Sequence, residues 1–178
     1  YKSYDYYDEV FDKYATQYQT TLSLEGGTEK LSYYGSIGYA DDNSFLKTNS
    51  INYNKYTFRS NVSLKVAKGL TASVNIGGRY DTGVKPYTPF FDIFKSTRVN
   101  PPTEPIYAND NPNYYNNFAS VINPMALSDS ETTGDITNTN RNIQSQFILE
   151  YDVPFVKGLT VKGTLGYDYN SQREKTIR

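Results

Sequence analysis

Apolar and polar side chains alternate with a period of two along six stretches of the chain, the pattern of strands with one apolar and one polar face. From Gln17 to Glu25, Tyr18, Thr20, Leu22 and Leu24 share one face, and Gln17, Gln19, Thr21, Ser23 and Glu25 the other. Gly26 and Gly27 open a turn, after which Leu31, Tyr33, Gly35, Ile37 and Tyr39 line up. A polar loop from Asp41 to Asn54 separates these from a third stretch. There Tyr56, Phe58, Val62, Leu64 and Val66 alternate with Lys55, Thr57, Arg59, Asn61, Ser63 and Lys65. The turn Ala67-Lys68-Gly69 leads to Leu70, Ala72, Val74, Ile76 and Tyr80, set against Thr71, Ser73, Asn75, Arg79 and Asp81. The fifth stretch opposes Ile143, Phe147, Leu149 and Tyr151 to Asn142, Gln144, Gln146 and Glu150. The sixth opposes Leu159, Val161, Leu165, Tyr167 and Tyr169 to Thr160, Lys162, Thr164, Asp168 and Asn170. Each predicted strand is about ten residues long, the length that tilted strands need to cross a bilayer.

The connections sort by length. Those at Gly26, Lys68 and Val156 are short and those at Asp42 and Pro86 long, in strict alternation. Outer-membrane barrels have this asymmetry, with short periplasmic turns and long extracellular loops. On that reading residues 1–16 and 83–138 are extracellular loops, the latter holding seven of the eight prolines and the one Met. The spacing predicts two loop helices. One is capped by Asp5 and carries Tyr7, Val10, Phe11 and Tyr14 on one face. The other starts at Thr88-Pro89, carries Phe90, Ile93 and Phe94, and stops before Pro101 and Pro102. Tyr18, Tyr39, Tyr53, Tyr56, Tyr80, Tyr167 and Tyr169 gather toward the long-loop ends, with Tyr151 and Phe155 at the opposite rim, as membrane girdles do. A soluble, secreted β-sandwich with a Tyr-rich carbohydrate-binding face is the alternative; a passive porin or adhesin barrel is a third reading.

Composition narrows the chemistry. The chain of 178 residues has 19 Tyr and 9 Phe but no Trp, His or Cys. That removes Cys/His zinc sites, disulfides, thiol nucleophiles and Ser-His-Asp triads. A net charge of −1 leaves no basic excess for phosphate backbones, so no nucleic-acid partner is expected. The mean hydropathy of −0.67 suits a soluble protein and equally a barrel with a polar lumen. No apolar run approaches a transmembrane helix, and Tyr1 to Tyr7 does not have the form of a signal peptide.

No catalytic constellation emerges, so no enzyme and no cofactor is expected. Asp5, Asp8, Glu9 and Asp12 suit a helix start. Asn109, Asp110, Asn111 and Asn113 resemble half a calcium loop without its Gly and distal Glu, and no metal is assigned. Neither Gly26-Gly27 nor Gly77-Gly78 precedes a helix, as a phosphate cradle would. The long loop is rich in rings: Tyr87, Phe90, Phe91, Tyr107, Tyr114, Tyr115 and Phe118. Rings of this kind stack on sugars or grip peptide side chains, and Tyr87, Phe91, Tyr107, Tyr114 and Tyr115 are the ligand-binding candidates. The competing reading is that they fold the loop onto itself. Arg59, Lys65, Arg79, Asp81, Glu150 and Lys162 would face a barrel lumen.

The stretch LSLEGGTEKLSYYGSIGYADD, Leu22 to Asp42, resembles the SusC/RagA-like family of TonB-dependent outer-membrane transporters. The family's early-barrel signature reads L-S-x-x-G-G-[TS]-x-x-x-x-Y-x-x-S-x-G-Y after an acidic aromatic segment, here YDYYDEVFD. Asp5-Tyr6 stands where the family has Asp-Trp. Asn52 to Ile76 is similar to the continuation Y-x-R-Y-x-x-R-x-N, with Lys55 in place of Arg and with Arg59 and Asn61 in their expected places. The resemblance implies an all-β antiparallel barrel segment, about six strands of a 22-stranded outer-membrane barrel, with no plug domain in residues 1–178. It implies import of glycan fragments or peptides, outer-membrane lipid around the barrel, a SusD-like surface lipoprotein as lid, and TonB acting through a plug.

Overall fold

The computed structural model describes residues 3–117 and 122–178, so Phe118 lies outside the described residues. Six strands form where the alternation predicts them: β1 (Gln17–Gly27), β2 (Leu31–Asn43), β3 (Asn52–Ala67), β4 (Leu70–Pro86), β5 (Asp135–Asp152) and β6 (Thr160–Ile177). They make one sheet in the order β1-β2-β3-β4-β5-β6, every neighbour antiparallel. Paired residues in such a sheet share a face, so the register decides whether the six alternations add up. They do. Tyr33, Val62, Val74, Phe147 and Leu165 form one row across five strands, and Leu31, Leu64, Ala72 and Leu149 another.

This apolar face is uncovered: Leu22 is 69 % exposed, Ile37 62 % and Leu165 73 %. A sandwich would bury it under a second sheet, and the single sheet overturns that alternative. The molecule exposes 12603 Å², against roughly 8,800 Å² for a compact monomer of this mass. The excess is the surface of a sheet that does not close on itself. On β3 the apolar positions run from Tyr56 to Val66; at about 3.4 Å per residue and a tilt near 45° they span ~24 Å of membrane normal, the height of a barrel's apolar band.

The strands outrun the alternation at their long-connection ends. The loop expected over 41–54 shrinks to residues 44–51, and the one expected over 83–138 to residues 87–134. Asp41 and Asp42 pair with Asn54 and Tyr53, and Thr82 to Pro86 pair with Thr139 to Asp135. Backbone ladders continue there although both faces are polar, because nothing above the apolar band calls for alternation. At the other end, β3 and β4 are joined by Lys68 and Gly69, whose φ of +75° suits glycine.

The buried hydrophobic core lies in the loops. Among the described residues the buried apolar side chains include Tyr6, Val10, Phe11, Leu46, Ile93, Ile106 and Pro124, with Ala40 and Pro86 the strand members. Val10, Phe11, Leu46 and Ile93 pack together against Ile51, Met125 and Leu127; Tyr6 and Ile106 pack beside Tyr107, Tyr115 and Met125. Residues 3–16, 44–51, 87–117 and 122–134 thus form one cap over the long-connection end of the sheet.

Its helices are short. In α1 (Tyr6–Val10), Asp5 accepts from the Tyr7 and Asp8 amides, as expected. The helix ends at Phe11, however, so Tyr6 rather than Tyr7 is buried, and Tyr14 is 83 % exposed. In α2 (Phe90–Val99), Pro89 is the N-cap and Thr88 makes no cap bond, which moves the start one residue past the expected position. Two further helices, α3 (Pro124–Ser128) and α4 (Ser130–Thr133), are capped by the side chains of Asn123 and Asp129.

Candidate functional site

The second face of the sheet is a polar wall. Its rows follow from the register: Ser36, Arg59, Gly77, Gln144 and Asp168 in one, and Tyr34, Asn61, Asn75, Gln146 and Gly166 in the next. All of them but Ser36 and Tyr34 line a shallow depression of about 500 Å³. Gly77 and Gly166 keep its floor low, since each carries no side chain between long polar neighbours. Arg59, Arg79, Asp81 and Glu150, the expected lumen residues, all stand on this face.

Above the depression Asp81, 2 % exposed, ties three strands together. Its Oδ1 accepts from Arg79 Nε at 2.6 Å and its Oδ2 from Asn140 Nδ2 at 2.9 Å. A second Arg79 nitrogen donates to the Tyr53 hydroxyl at 2.8 Å. Tyr53 therefore belongs to the polar face, a correction to the girdle expected from composition: odd-numbered positions of β3 carry Arg59 and Asn61, and Tyr53 shares their parity. Below the depression Lys162 Nζ and a Glu150 carboxylate oxygen are 3.0 Å apart, half-exposed, a pair worth ~0–1 kcal/mol.

On the apolar face the tyrosines form a continuous ladder. Ring centroids of Tyr18–Tyr39, Tyr39–Tyr56 and Tyr56–Tyr80 are 6.2, 5.0 and 6.3 Å apart. The Arg141 guanidinium extends the row, 5.7 Å from the Tyr80 centroid.

The cap separates the five ring candidates. Tyr107 and Tyr115 bridge antiparallel, with rings stacked at 5.8 Å, and the Tyr115 hydroxyl donates to Asp129 at 2.8 Å. Tyr87 sits where the long connection leaves β4; its amide donates to Gly134, and its ring lies 4.5 Å from the Arg178 guanidinium. Phe91 in the first turn of α2 is 70 % exposed, and Tyr114 is 66 % exposed. Three rings thus hold the cap's structure and two face outward. The half calcium loop is a turn around Asn109 and Asp110, both at positive φ, where Asn111 Oδ1 accepts from the Asn113 amide.

Two cap phenols resist ionisation. Burial, reinforced by Glu104, pushes Tyr6 up to about 12, while its hydroxyl donates to the carbonyls of Pro101 at 3.0 Å and Glu104 at 2.5 Å. Burial and the bond to Asp129 push Tyr115 higher still. The amides of the wall (Asn61, Asn75, Gln144 and Gln146) were visible one by one as polar positions; what put them in one place is the register, which no single stretch of sequence states.

No family model matches the chain. It is 26 % identical to two TonB-dependent receptors of Formosa agariphila, over 98 % and 87 % of its length. It is 24 % identical over 97 % of its length to the TonB-dependent receptor SusC of Bacteroides thetaiotaomicron. Among solved structures, the RagAB peptide transporter superposes with a TM-score of 0.72 at 20 % identity, covering 98 % of this chain. The chain is similar to SusC/RagA-like TonB-dependent receptors, and its fold is that of a segment of such a barrel. It spans 17 %, 14 % and 19 % of those curated relatives and 20 % of the solved chain. As in its SusC/RagA-like relatives, the barrel to which the segment belongs lies in the outer membrane, so the apolar face with its Tyr ladder is the lipid side and the polar wall the lumen side.

Proposed function

We propose that the SusC/RagA-like protein containing this segment is a TonB-dependent importer of glycan fragments or peptides, closed from outside by a SusD-like surface lipoprotein and powered by TonB through a plug. The observation that carries the reading is the division of the sheet: a lipid-sized apolar band on one side and an unbroken wall of amides, hydroxyls and paired charges on the other. Amide side chains present donors and acceptors together and exchange partners with water at little net cost. A cargo rich in hydroxyl or peptide groups can therefore pass along the wall without being trapped. The work is holding and release, with no covalent step. We assign Phe91 and Tyr114 to the first contact with cargo or lid, on a platform that Tyr87, Tyr107 and Tyr115 stiffen.

The test is uptake of labelled oligosaccharides and peptides by cells lacking the parent gene and by cells in which it is restored. Loss and recovery of uptake of one cargo class, dependent on TonB, is expected. The double variant Phe91→Ala/Tyr114→Ala should raise the half-saturating cargo concentration about tenfold, the loss of roughly 1.4 kcal/mol of ring stacking, at an unchanged outer-membrane level. Uptake that is indifferent to the gene would overturn the reading.

A further inference from the structure

We infer that the lipid side of this segment carries a specific site for an anionic, phosphate-bearing membrane lipid. Two independent features converge on it. The first is a depression of about 540 Å³ in the apolar band directly below the Tyr ladder, walled by Leu22, Ile37, Tyr56, Phe58, Tyr80 and Ile143. It exists because Gly78 stands in the row of Ile37, Phe58 and Ile143: the Phe58 ring lies over that glycine, where a Cβ would collide with the ring edge. The ring lies along the sheet instead of projecting, which leaves beside it the groove that would take an acyl chain.

The second feature is charge. Arg141 lines the same depression, sharing the lipid-side row of Tyr39, Tyr56 and Tyr80. Position 139 of β5 pairs with Arg173 of β6, and position 137 with Lys175. Arg141, Arg173 and Lys175 therefore stand on one face in ascending rows, with diagonal neighbours about 7–8 Å apart. None of the three has a carboxylate within ion-pair distance among the described residues. Of the acidic residues of β5 and β6, Glu150, Asp152, Asp168 and Glu174 belong to the opposite face, and Asp135 lies beyond Lys175 and accepts from Thr137. Three unneutralised cations just above an apolar groove, at the level where a girdle of tyrosines marks the headgroups, complement a phosphate with a chain hanging below it. Guanidinium groups bind phosphate oxygens in pairs, and two of the three cations are Arg. The acyl chain would lie in the groove against Phe58 and Ile37, with the phosphate between Arg141 and Arg173.

The site is tested on the full-length protein, purified in mild detergent with an equimolar mixture of phosphatidylglycerol and phosphatidylcholine and examined by native mass spectrometry. The wild type should retain the anionic lipid about tenfold over the zwitterionic one. Arg141→Gln/Arg173→Gln should bring the ratio to near unity, while Arg141→Lys/Arg173→Lys should keep most of the preference. Gly78→Leu, which fills the groove and leaves the cations, should lower retention of both lipids. A shift in gel mobility on heating verifies that each variant is folded. Raising salt from about 0.1 M to about 1 M should erase the wild-type preference, because the screening length falls from ~10 Å to ~3 Å; that readout needs no variant. A wild type without preference, a preference unchanged in the double Gln variant, or displacement of the lipid by inorganic phosphate would overturn the site.

Discussion

Single residues decide how the cap is held. The Tyr6 hydroxyl reaches two backbone carbonyls nearly a hundred positions away, and the Tyr115 hydroxyl reaches Asp129. Both phenols have folded-state values above the ordinary ~10, so the folded cap binds those protons more tightly than the unfolded chain does. Their contribution is fully present below pH ~10 and is lost as the pH rises toward and past 12. Amide exchange in residues 3–16 and 100–117 should therefore accelerate above pH ~10 while β3 and β4 stay protected. Tyr6→Phe should flatten that dependence and weaken the cap at neutral pH by ~1 kcal/mol. Gly134 is a second decisive position. It has a φ of +86°, and a Cβ there would strike the Ile177 carbonyl and Arg178 backbone. Gly134→Ala should cost ~1–3 kcal/mol in urea titrations of the refolded barrel and loosen the return of the long connection into β5.

At the scale of elements, the legible part of the fold was the part in the membrane band. From Tyr56 to Val66 one face meets lipid and the other meets water, and that contrast writes itself into the sequence with a period of two. Beyond the band both faces are wet. The alternation stops while the ladder continues, which hid Asp41–Asn43, Thr82–Pro86 and Ser171–Ile177 from the pattern. The cap core is legible only as separate helix faces, which show Val10, Phe11 and Ile93 but not their meeting. Val10, Leu46, Ile93 and Ile106 come from distant segments with no shared period, and α3 and α4 are shorter than the two turns a helical pattern needs. Their sequence signals are single residues, the caps Asn123 and Asp129 and Pro124 in the first turn of α3. Of the candidate site, the charges of the wall were readable by parity, whereas the grouping of Arg59 with Asn75, Gln144 and Asp168 required the register. The two faces make opposite predictions for one substitution. Val62→Arg, in the middle of the lipid band, should cost ~2–4 kcal/mol of barrel stability, and Ser63→Arg on the adjacent polar position well under 1 kcal/mol. Removing the buried acid of the wall, Asp81→Ala, should cost ~1–3 kcal/mol, because it strands Arg79 and Asn140 together.

For the whole molecule, the surface it leaves open defines its setting. Every residue of β1 and nearly all of β6 are exposed, and each edge carries a free row of backbone donors and acceptors. Produced alone, the segment should aggregate without detergent, whereas in the complete barrel both edges find neighbouring strands. The central claim is that one face of this sheet meets lipid and the other meets water. The most direct measurement is a nitroxide scan of single-cysteine variants along β3, residues 56–66 of the full-length protein in lipid bilayers, reading collisions with oxygen against collisions with a water-soluble nickel chelate. The segment itself contains no Cys to replace. Oxygen should dominate at positions 58, 62, 64 and 66 and the chelate at 57, 59, 61, 63 and 65. A profile without that two-residue period, or one with the chelate dominant on both sets, would contradict the account.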